Sequence, residues 1–273
     1  MSVAEAALLA WAERVLPAGV VVAFSGGVDS AVLLAALARA RGECTAPLWA
    51  VTFVSPLHRP QEVVEAEAQA RQLGVPFRKL AVDPLADAAL VQNPPERCYL
   101  CKRRLFEQLR DFACVAGCAW VVDGTHRDDF GTWRPGLRAL RELGIASPLA
   151  ELKLGKGDVR AVAAAWGLSV AQRPSAPCLA TRFPYGTRLT REGLVRVAAG
   201  EEAVAALLPG VAPLRLRVHD DLARIEVPLA DFLRVLSVRE ALVQRLREVG
   251  FRHVTLDLAG FRSGSFDEAG RQA

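Results

Sequence analysis

Two sets of residues in this chain have the types and spacing to do chemistry. The first is Ser25-Gly26-Gly27-Val28-Asp29-Ser30. The glycines permit a tight turn and a close backbone approach to an anion. The serines add donors, and a helix starting here would add its positive dipole end, completing a cradle for nucleotide phosphates. No Gly-Lys-Ser/Thr follows the glycines, so a Walker-type loop is disfavoured. The second set is thiols. Cys98 and Cys101 form a Cys-x-x-Cys within Asn-Pro-Pro-Glu-Arg-Cys-Tyr-Leu-Cys-Lys at 93–102, and Cys178 stands in Ser-Ala-Pro-Cys-Leu-Ala-Thr-Arg at 175–182. The pair can converge on one metal or cluster. It can equally be a thiol–disulfide couple, with Lys102 or Arg103 lowering a thiol pKa. Cys178 alone would read as a small buried apolar residue. A cluster held by all three would leave one iron open to a small ligand such as sulfide. Cys44, Cys114 and Cys118 sit in apolar surroundings and are expected to pack.

The elements that must position these groups alternate. A β-branched run at 20–24 predicts a buried parallel strand leading into the loop, and 31–41 predicts the helix leaving it. Strands follow at 48–54, 77–82 and 119–123, with helices at 61–73, 99–112, 137–143 and 156–166. This order predicts an α/β fold with a doubly wound parallel sheet over 1–170. Ligands then lie at the carboxyl ends of the strands, where the 25–30 loop, Ser55 and Asp123-Gly124-Thr125 all fall. Prolines at 174, 177 and 184 break the pattern and carry Cys178. Beyond them a smaller α+β domain is expected within 171–273: helices at 191–208 and 238–249, a strand pair at 214–218 and 223–227, and a strand at 254–258. No repeat or low-complexity tract is present.

The 273 residues are 52% apolar and carry a net charge of +4. The positive charge rests on arginine, with lysine only at 79, 102, 153 and 156. Acidic residues are interspersed and no basic block occurs, so a mixed solvated surface is expected and no nucleic-acid partner. No apolar run is long enough to span a bilayer. The first sixteen residues read as a helix and lack a signal-peptide pattern, so a cytoplasmic chain without membrane contact is the expectation. Six cysteines in that compartment point to metal, catalysis or burial, and away from a disulfide framework.

The 25–30 hexamer, placed between strand and helix, resembles the signature of the PP-loop ATP pyrophosphatases, of HUP-like fold. The 93–102 and 178–186 segments extend the likeness, as do Asp-Gly-Thr at 123–125 and Arg-Pro-Gly-Leu-Arg at 134–138. So do Ala-Arg-Ile-Glu-Val at 223–227 and Val-Thr-Leu-Asp-Leu-Ala-Gly-Phe-Arg-Ser-Gly at 254–264. With these, nearly the whole chain resembles the LarE family of ATP-dependent sulfur transferases, which mature the nickel-pincer cofactor of lactate racemase. Two modest departures are His126-Arg127 after Asp-Gly-Thr, and Pro177 before Cys178.

The resemblance implies that ATP adenylylates a carboxylate of pyridinium-3,5-biscarboxylic acid mononucleotide, and that sulfur then replaces AMP. In one version of the family's chemistry the cysteine matching Cys178 gives up its own sulfur. In the other, cysteines matching Cys98, Cys101 and Cys178 hold a 4Fe-4S cluster that carries the sulfide. All three are present, which favours the cluster. The implied roles run as follows. Ser25, Gly26, Gly27 and Ser30 hold the pyrophosphate end of ATP, and Asp29 holds Mg²⁺, a role compatible with that of a helix-start acid. Phe53 and Ser55 border the adenine, Gly124 and Thr125 complete the pocket, and Arg182 neutralises the adenylate phosphate. Arg215, Arg217, Glu226 and, more weakly, Glu202 contact the mononucleotide, with metal a second option for Glu226. Spacing alone would make the strand residues an exposed polar face. His219 and His253 read as surface or packing residues. A homo-oligomer and transient contact with other cofactor-maturation proteins are also implied. The competing readings are a PP-loop tRNA thiolase, an amidating synthetase, and a nucleotide-binding regulatory module. The first needs an RNA surface, and the other two leave the cysteines idle.

Overall fold

The computed structural model describes residues 1–131, 134–174, 176–262 and Phe266. Ser263 and Gly264, which end one of the quoted family segments, lie outside them, as does Ser175. In chain order the elements are α1 (Val3–Val15), β1 (Val20–Ala23), α2 (Val28–Ala40), β2 (Leu48–Val54), α3 (Pro60–Gln72) and β3 (Phe77–Ala81). Next come α4 (Ala88–Val91), α5 (Arg97–Val115), β4 (Trp120–Val122), α6 (Gly136–Glu142), α7 (Pro148–Glu151), α8 (Lys156–Ala165) and α9 (Arg191–Leu207). The last are β5 (Arg215–His219), β6 (Leu222–Glu226), α10 (Phe232–Ser237), α11 (Arg239–Glu248) and β7 (His253–Leu256). No helix among the described residues is long and apolar enough to cross a membrane.

The chain forms two compact units. The first comprises Met1–Ser55, Arg59–Val82 and Glu96–Ser175; the second comprises Pro56–His58, Asp83–Pro95 and the chain from Ala176. The first is an α/β unit whose four strands are all parallel, in the order β3-β2-β1-β4. Period-two alternation explains why it is covered on both faces. Val20 and Val22 of β1 pack with α1, α2 and α8, while Val21 packs with Leu105, Phe106 and Leu109 of α5 and Leu140 of α6. All three valines are fully buried, each contributing about 1.5–3 kcal/mol. Registers Val20↔Leu48 and Val20↔Trp120 bring the carboxyl ends of β1, β2 and β4 to one edge.

In the second unit β5 and β6 form an antiparallel pair, and β7 joins β6 in parallel. Helices α9 and α11 bury Leu194, Val197, Val204, Leu242 and Leu246 with Leu216, Ile225 and Phe251. Gly200 is small by necessity, because a Cβ there would lie 3.2 Å from the Phe251 ring and 3.4 Å from Leu216 and Leu246. The segment 83–95 belongs to this unit through Asn93. That residue is fully buried with φ +51°. Its side-chain amide donates to Pro184 O at 2.8 Å, and its carbonyl accepts from Gly186 N at 3.0 Å.

Candidate active site

Within the first unit the 25–30 loop is a closed hydrogen-bonded turn. Gly26 takes φ +70°, a conformation that favours glycine. Ser30 Oγ donates to Gly27 O at 3.1 Å and accepts from Ser25 N at 3.3 Å, with Ser25 Oγ 3.2 Å away. Gln69 of α3 braces the loop from outside, donating to Gly26 O at 3.2 Å. Gly27 is the N-cap of α2 and no side chain caps that end, so its first-turn amides face an incoming anion with the positive dipole end behind them. Gly124 closes the other side. A Cβ on it would lie 2.9 Å from Ser30 N and 3.1 Å from Asp29 Cβ, so the end of β4 touches the start of α2 only because residue 124 is glycine. Thr125 is locked beside it: its hydroxyl donates to Asp123 Oδ2 at 2.6 Å and its N–H to Asp123 Oδ1 at 3.2 Å. Ser147 Oγ donates to the same carboxylate at 2.7 Å, and Lys102 Nζ lies 3.5 Å from it. Phe53 is half-buried, its ring 5.9 Å from that of Phe106, and Ser55 lies just past the end of β2.

Asp29, in the first turn of α2, meets Lys156 Nζ through both carboxylate oxygens, at 2.6 and 2.9 Å. Lys156 opens α8. Its backbone N–H donates to Asp128 Oδ2 at 2.8 Å, which holds the Asp128 carboxyl below its ordinary value. Buried His126 lies next to this turn, its N–H donating to Asp129 Oδ2 at 3.0 Å.

Cys98 and Cys101 fall one turn apart on the first turns of α5, on one helix face, and both thiols are half-buried. Gly136 lets α6 close on this turn: a Cβ there would lie 2.8 Å from Lys102 Cδ and 3.3 Å from Cys98 O. Arg138 stacks on the Tyr99 ring at 3.8 Å and pairs with Glu96 at 3.2 Å. Residues 96–102 and 136–138 thus form one packed corner of the first unit. Of the remaining cysteines, Cys118 is buried, and burial pushes its thiol pKa up. Cys44 is half-buried, whereas Cys114 is exposed and does not pack as expected.

In the second unit Cys178 is half-buried at the start of a short 3-10 turn. Arg182 ends that turn with no exposure to solvent. Its Nη1 donates to Pro177 O and Thr181 Oγ1 at 2.8 Å and to Cys178 O at 3.3 Å. Its Nε and Nη2 meet Glu201 at 2.9 and 3.1 Å. The guanidinium is therefore spent on pinning the Cys178 loop. The strand residues are not an exposed polar face. Arg217 and Glu226 are buried and paired at 3.0 Å, Arg217 also donates to Thr181 O at 2.6 Å, and Arg224 reaches Glu226 at 3.2 Å. Burial lowers the Arg217 pKa against the pull of Glu226. Arg215 is half-buried, its guanidinium 5.5 Å from the Phe261 ring. Glu202 is exposed on α9. Within either unit, among the described residues, no group of three or more His, Cys, Asp or Glu is gathered for a metal; Cys98 and Cys101 belong to the first unit and Cys178 to the second.

No family model matches the chain. Individual proteins do. An uncharacterized protein of Synechocystis sp. is 38% identical over 90% of this chain and 91% of its own length. The pyridinium-3,5-bisthiocarboxylic acid mononucleotide synthase of Lactiplantibacillus plantarum is 37% identical over 91% of this chain and 89% of its own. The chain belongs to the LarE family. The tRNA-specific 2-thiouridylase MnmA of Caulobacter vibrioides is more distant, 29% identical over 64% of this chain and 56% of its own. Membership in the LarE family makes this chain a PP-loop sulfur transferase.

Sequence reasoning missed several residues that this LarE-family chain sets in place. Glu201 carries the buried pairing on α9, not its neighbour Glu202. Its phase with Leu194, Val197 and Val204 is the signal that finds it. Lys156 was passed over because its partner Asp29 lies 127 residues away, and Asp123 was placed at the sheet edge without the role its carboxylate takes there. The rarity of lysine is a signal for both: two of four lysines face carboxylates at the sheet edge.

Proposed function

We propose that the chain uses ATP to adenylylate the carboxylates of pyridinium-3,5-biscarboxylic acid mononucleotide and converts them to thiocarboxylates for the nickel-pincer cofactor. The observation that carries this reading is the match, over 91% of this chain, to the Lactiplantibacillus plantarum synthase, whose name states that product. The uncapped α2 amides and the 25–30 turn support binding of the triphosphate end. In the first step a substrate carboxylate oxygen bonds to the α-phosphorus while the bond to the β-phosphate oxygen breaks, releasing pyrophosphate. In the second step sulfur bonds to the acyl carbon and the carbon–oxygen bond to AMP breaks. Carried away as part of AMP, that oxygen leaves far more readily than it would from the free carboxylate.

Mg²⁺ fits Asp29, since this ion is held by one or two carboxylates together with substrate phosphates. The thiol chemistry of Cys98, Cys101 and Cys178 fits a 4Fe-4S cluster as ligands. When bound, the cluster would supply an exchangeable sulfide, so the protein need not be consumed. Arg182 acts as a positioning residue for Cys178, in place of direct contact with the adenylate phosphate. Arg215 is proposed to meet the mononucleotide, with Arg217 and Glu226, buried against each other, fixing the strand pair that carries it, and with Phe53, Ser55, Gly124 and Thr125 around the adenylyl group. The test is pyrophosphate release with Mg²⁺ and ATP. Release that depends on the pyridinium mononucleotide supports the reading. Release that depends on tRNA moves the chain to the thiouridylase chemistry of its more distant relatives.

A further inference from the structure

Lys156 is not accounted for by the phosphate loop as described. Its ammonium sits on both oxygens of Asp29, at 2.6 and 2.9 Å, and the two side chains keep 27% and 25% of their exposure. Its backbone is fixed. The N–H is held by Asp128 at 2.8 Å, Gly155 N donates to Asp158 Oδ2 at 2.9 Å, and a Cβ on Gly155 would lie 2.7 Å from Arg127 Nη2. A pinned main chain thus carries a flexible four-carbon stem with a compact charge at its tip. Lysine suits a partner change better than the rigid arginine fork, and this chain uses lysine at only four positions. Asp29 and Lys156 together are neutral. Without the lysine, a bare carboxylate would stand in the first turn of α2 and repel the phosphates that the α2 amides attract.

We infer that Lys156 is a phosphate-binding residue held in reserve on Asp29. When the metal nucleotide enters, Mg²⁺ takes the Asp29 carboxylate and the Lys156 ammonium passes to oxygens of the β- and γ-phosphates, the pyrophosphate that leaves. One ion pair becomes two, with charge matched at each. The inference rests on the ATP reading of the loop, and it deepens that reading by naming the cation that receives the leaving group.

Two binding experiments test it, both by titration calorimetry on the full chain. In the first, wild type and Lys156→Met are titrated with Mg²⁺ and an ATP analogue that cannot be cleaved between the α and β phosphates, and separately with AMP. Lys156→Met should weaken the analogue about tenfold or more, the loss of one charge-assisted bond. AMP, which lacks the leaving phosphates, should change less than about twofold by the same reasoning, and Lys156→Arg should recover most of the affinity. In the second, metal-free pyrophosphate in EDTA is the probe. Asp29→Asn frees the lysine and should tighten pyrophosphate several-fold, a gain lost in Asp29→Asn/Lys156→Met. Equal analogue binding by wild type and Lys156→Met overturns the inference, as does an equal gain from Asp29→Asn in both backgrounds. A wild-type protein that binds neither the analogue nor pyrophosphate overturns the ATP reading itself, and the inference with it.

Discussion

Replacing Glu201 with alanine strips the counter-charge from a guanidinium that has no solvent exposure. The carboxylate accepts three hydrogen bonds: from Arg182 Nε at 2.9 Å, Arg182 Nη2 at 3.1 Å and Leu216 N at 2.9 Å. Each is charge-assisted, since the acceptor is a carboxylate, and worth roughly 1.5–3 kcal/mol. The three share one side chain and do not add fully, so the expected loss is about 3–5 kcal/mol, as for other broken buried pairs. For a unit of this size that lowers the unfolding temperature by roughly 10–20 °C. Urea unfolding followed by far-UV circular dichroism, with calorimetry, gives both numbers. The decisive comparison is Arg182→Met/Glu201→Leu. Removing both charges leaves neutral orphans at Leu216 N and the Cys178 loop in place of an unpaired buried charge, so the double variant should be more stable than Glu201→Ala by about 1–2 kcal/mol. A loss below about 1 kcal/mol for Glu201→Ala, or a double variant that falls to the sum of the singles, would refute the buried-pair account of this loop.

Gly124→Ala should cost about 1–3 kcal/mol and abolish nucleotide binding, because its Cβ would press on Ser30 N and Asp29 Cβ; equilibrium dialysis with ATP checks the second effect. Ser30→Ala removes the hydroxyl that ties Gly27 O, Ser25 N and Ser25 Oγ together, and should destabilise by about 1–2 kcal/mol while weakening ATP several-fold. Burial first, then the Arg224 charge, hold the His219 imidazole below its ordinary value of 6.5, and its Nε2 is buried without a partner. The unfolded chain therefore takes up the proton more readily. Stability present above about pH 6.5 should fall as pH drops from there toward the lowered folded value. His219→Gln should flatten that slope in urea unfolding at pH 7.5 and 5.5, and an unchanged slope would clear His219 of the effect.

The strands and the phosphate loop were legible because their signals are local. Four consecutive small or β-branched apolar residues precede two glycines, and Leu48–Val54 shows the same texture. The starts of α2 and α5 were read late, at 31 and 99. The α2 helix begins at Val28, within the loop motif, since Asp29 and Ser30 are good first-turn residues. The short helices α4, α7 and α10 carry too few turns for a periodic pattern and were passed over. The placement of 83–95 with the second unit rests on long-range bonds that no window of sequence reveals: Asn93 to carbonyls about ninety residues away, Leu189 N to Val91 O at 2.8 Å, and Arg191 to Asp83 at 2.9 Å. Site pairings were illegible for the same reason. Lys156 lies 127 residues from Asp29, and Arg217 pairs diagonally with Glu226, which stands opposite Arg215, two residues along the antiparallel register from Arg217's own neighbour Arg224.

The central claim is that one chain both activates a carboxylate and replaces its oxygen with sulfur. The direct measurement is mass spectrometry of the small-molecule product and of the protein. The reaction is run anaerobically with Mg²⁺, ATP, sulfide and pyridinium-3,5-biscarboxylic acid mononucleotide, with iron and sulfide analysed before and after. The account predicts a product in which sulfur has replaced carboxylate oxygen, a protein of unchanged mass, and iron that is lost in Cys98→Ser. A protein lighter by one hydrogen sulfide, with Cys178 as dehydroalanine, contradicts the cluster route and assigns the sulfur to Cys178. An unaltered mononucleotide in the presence of ATP contradicts the account as a whole.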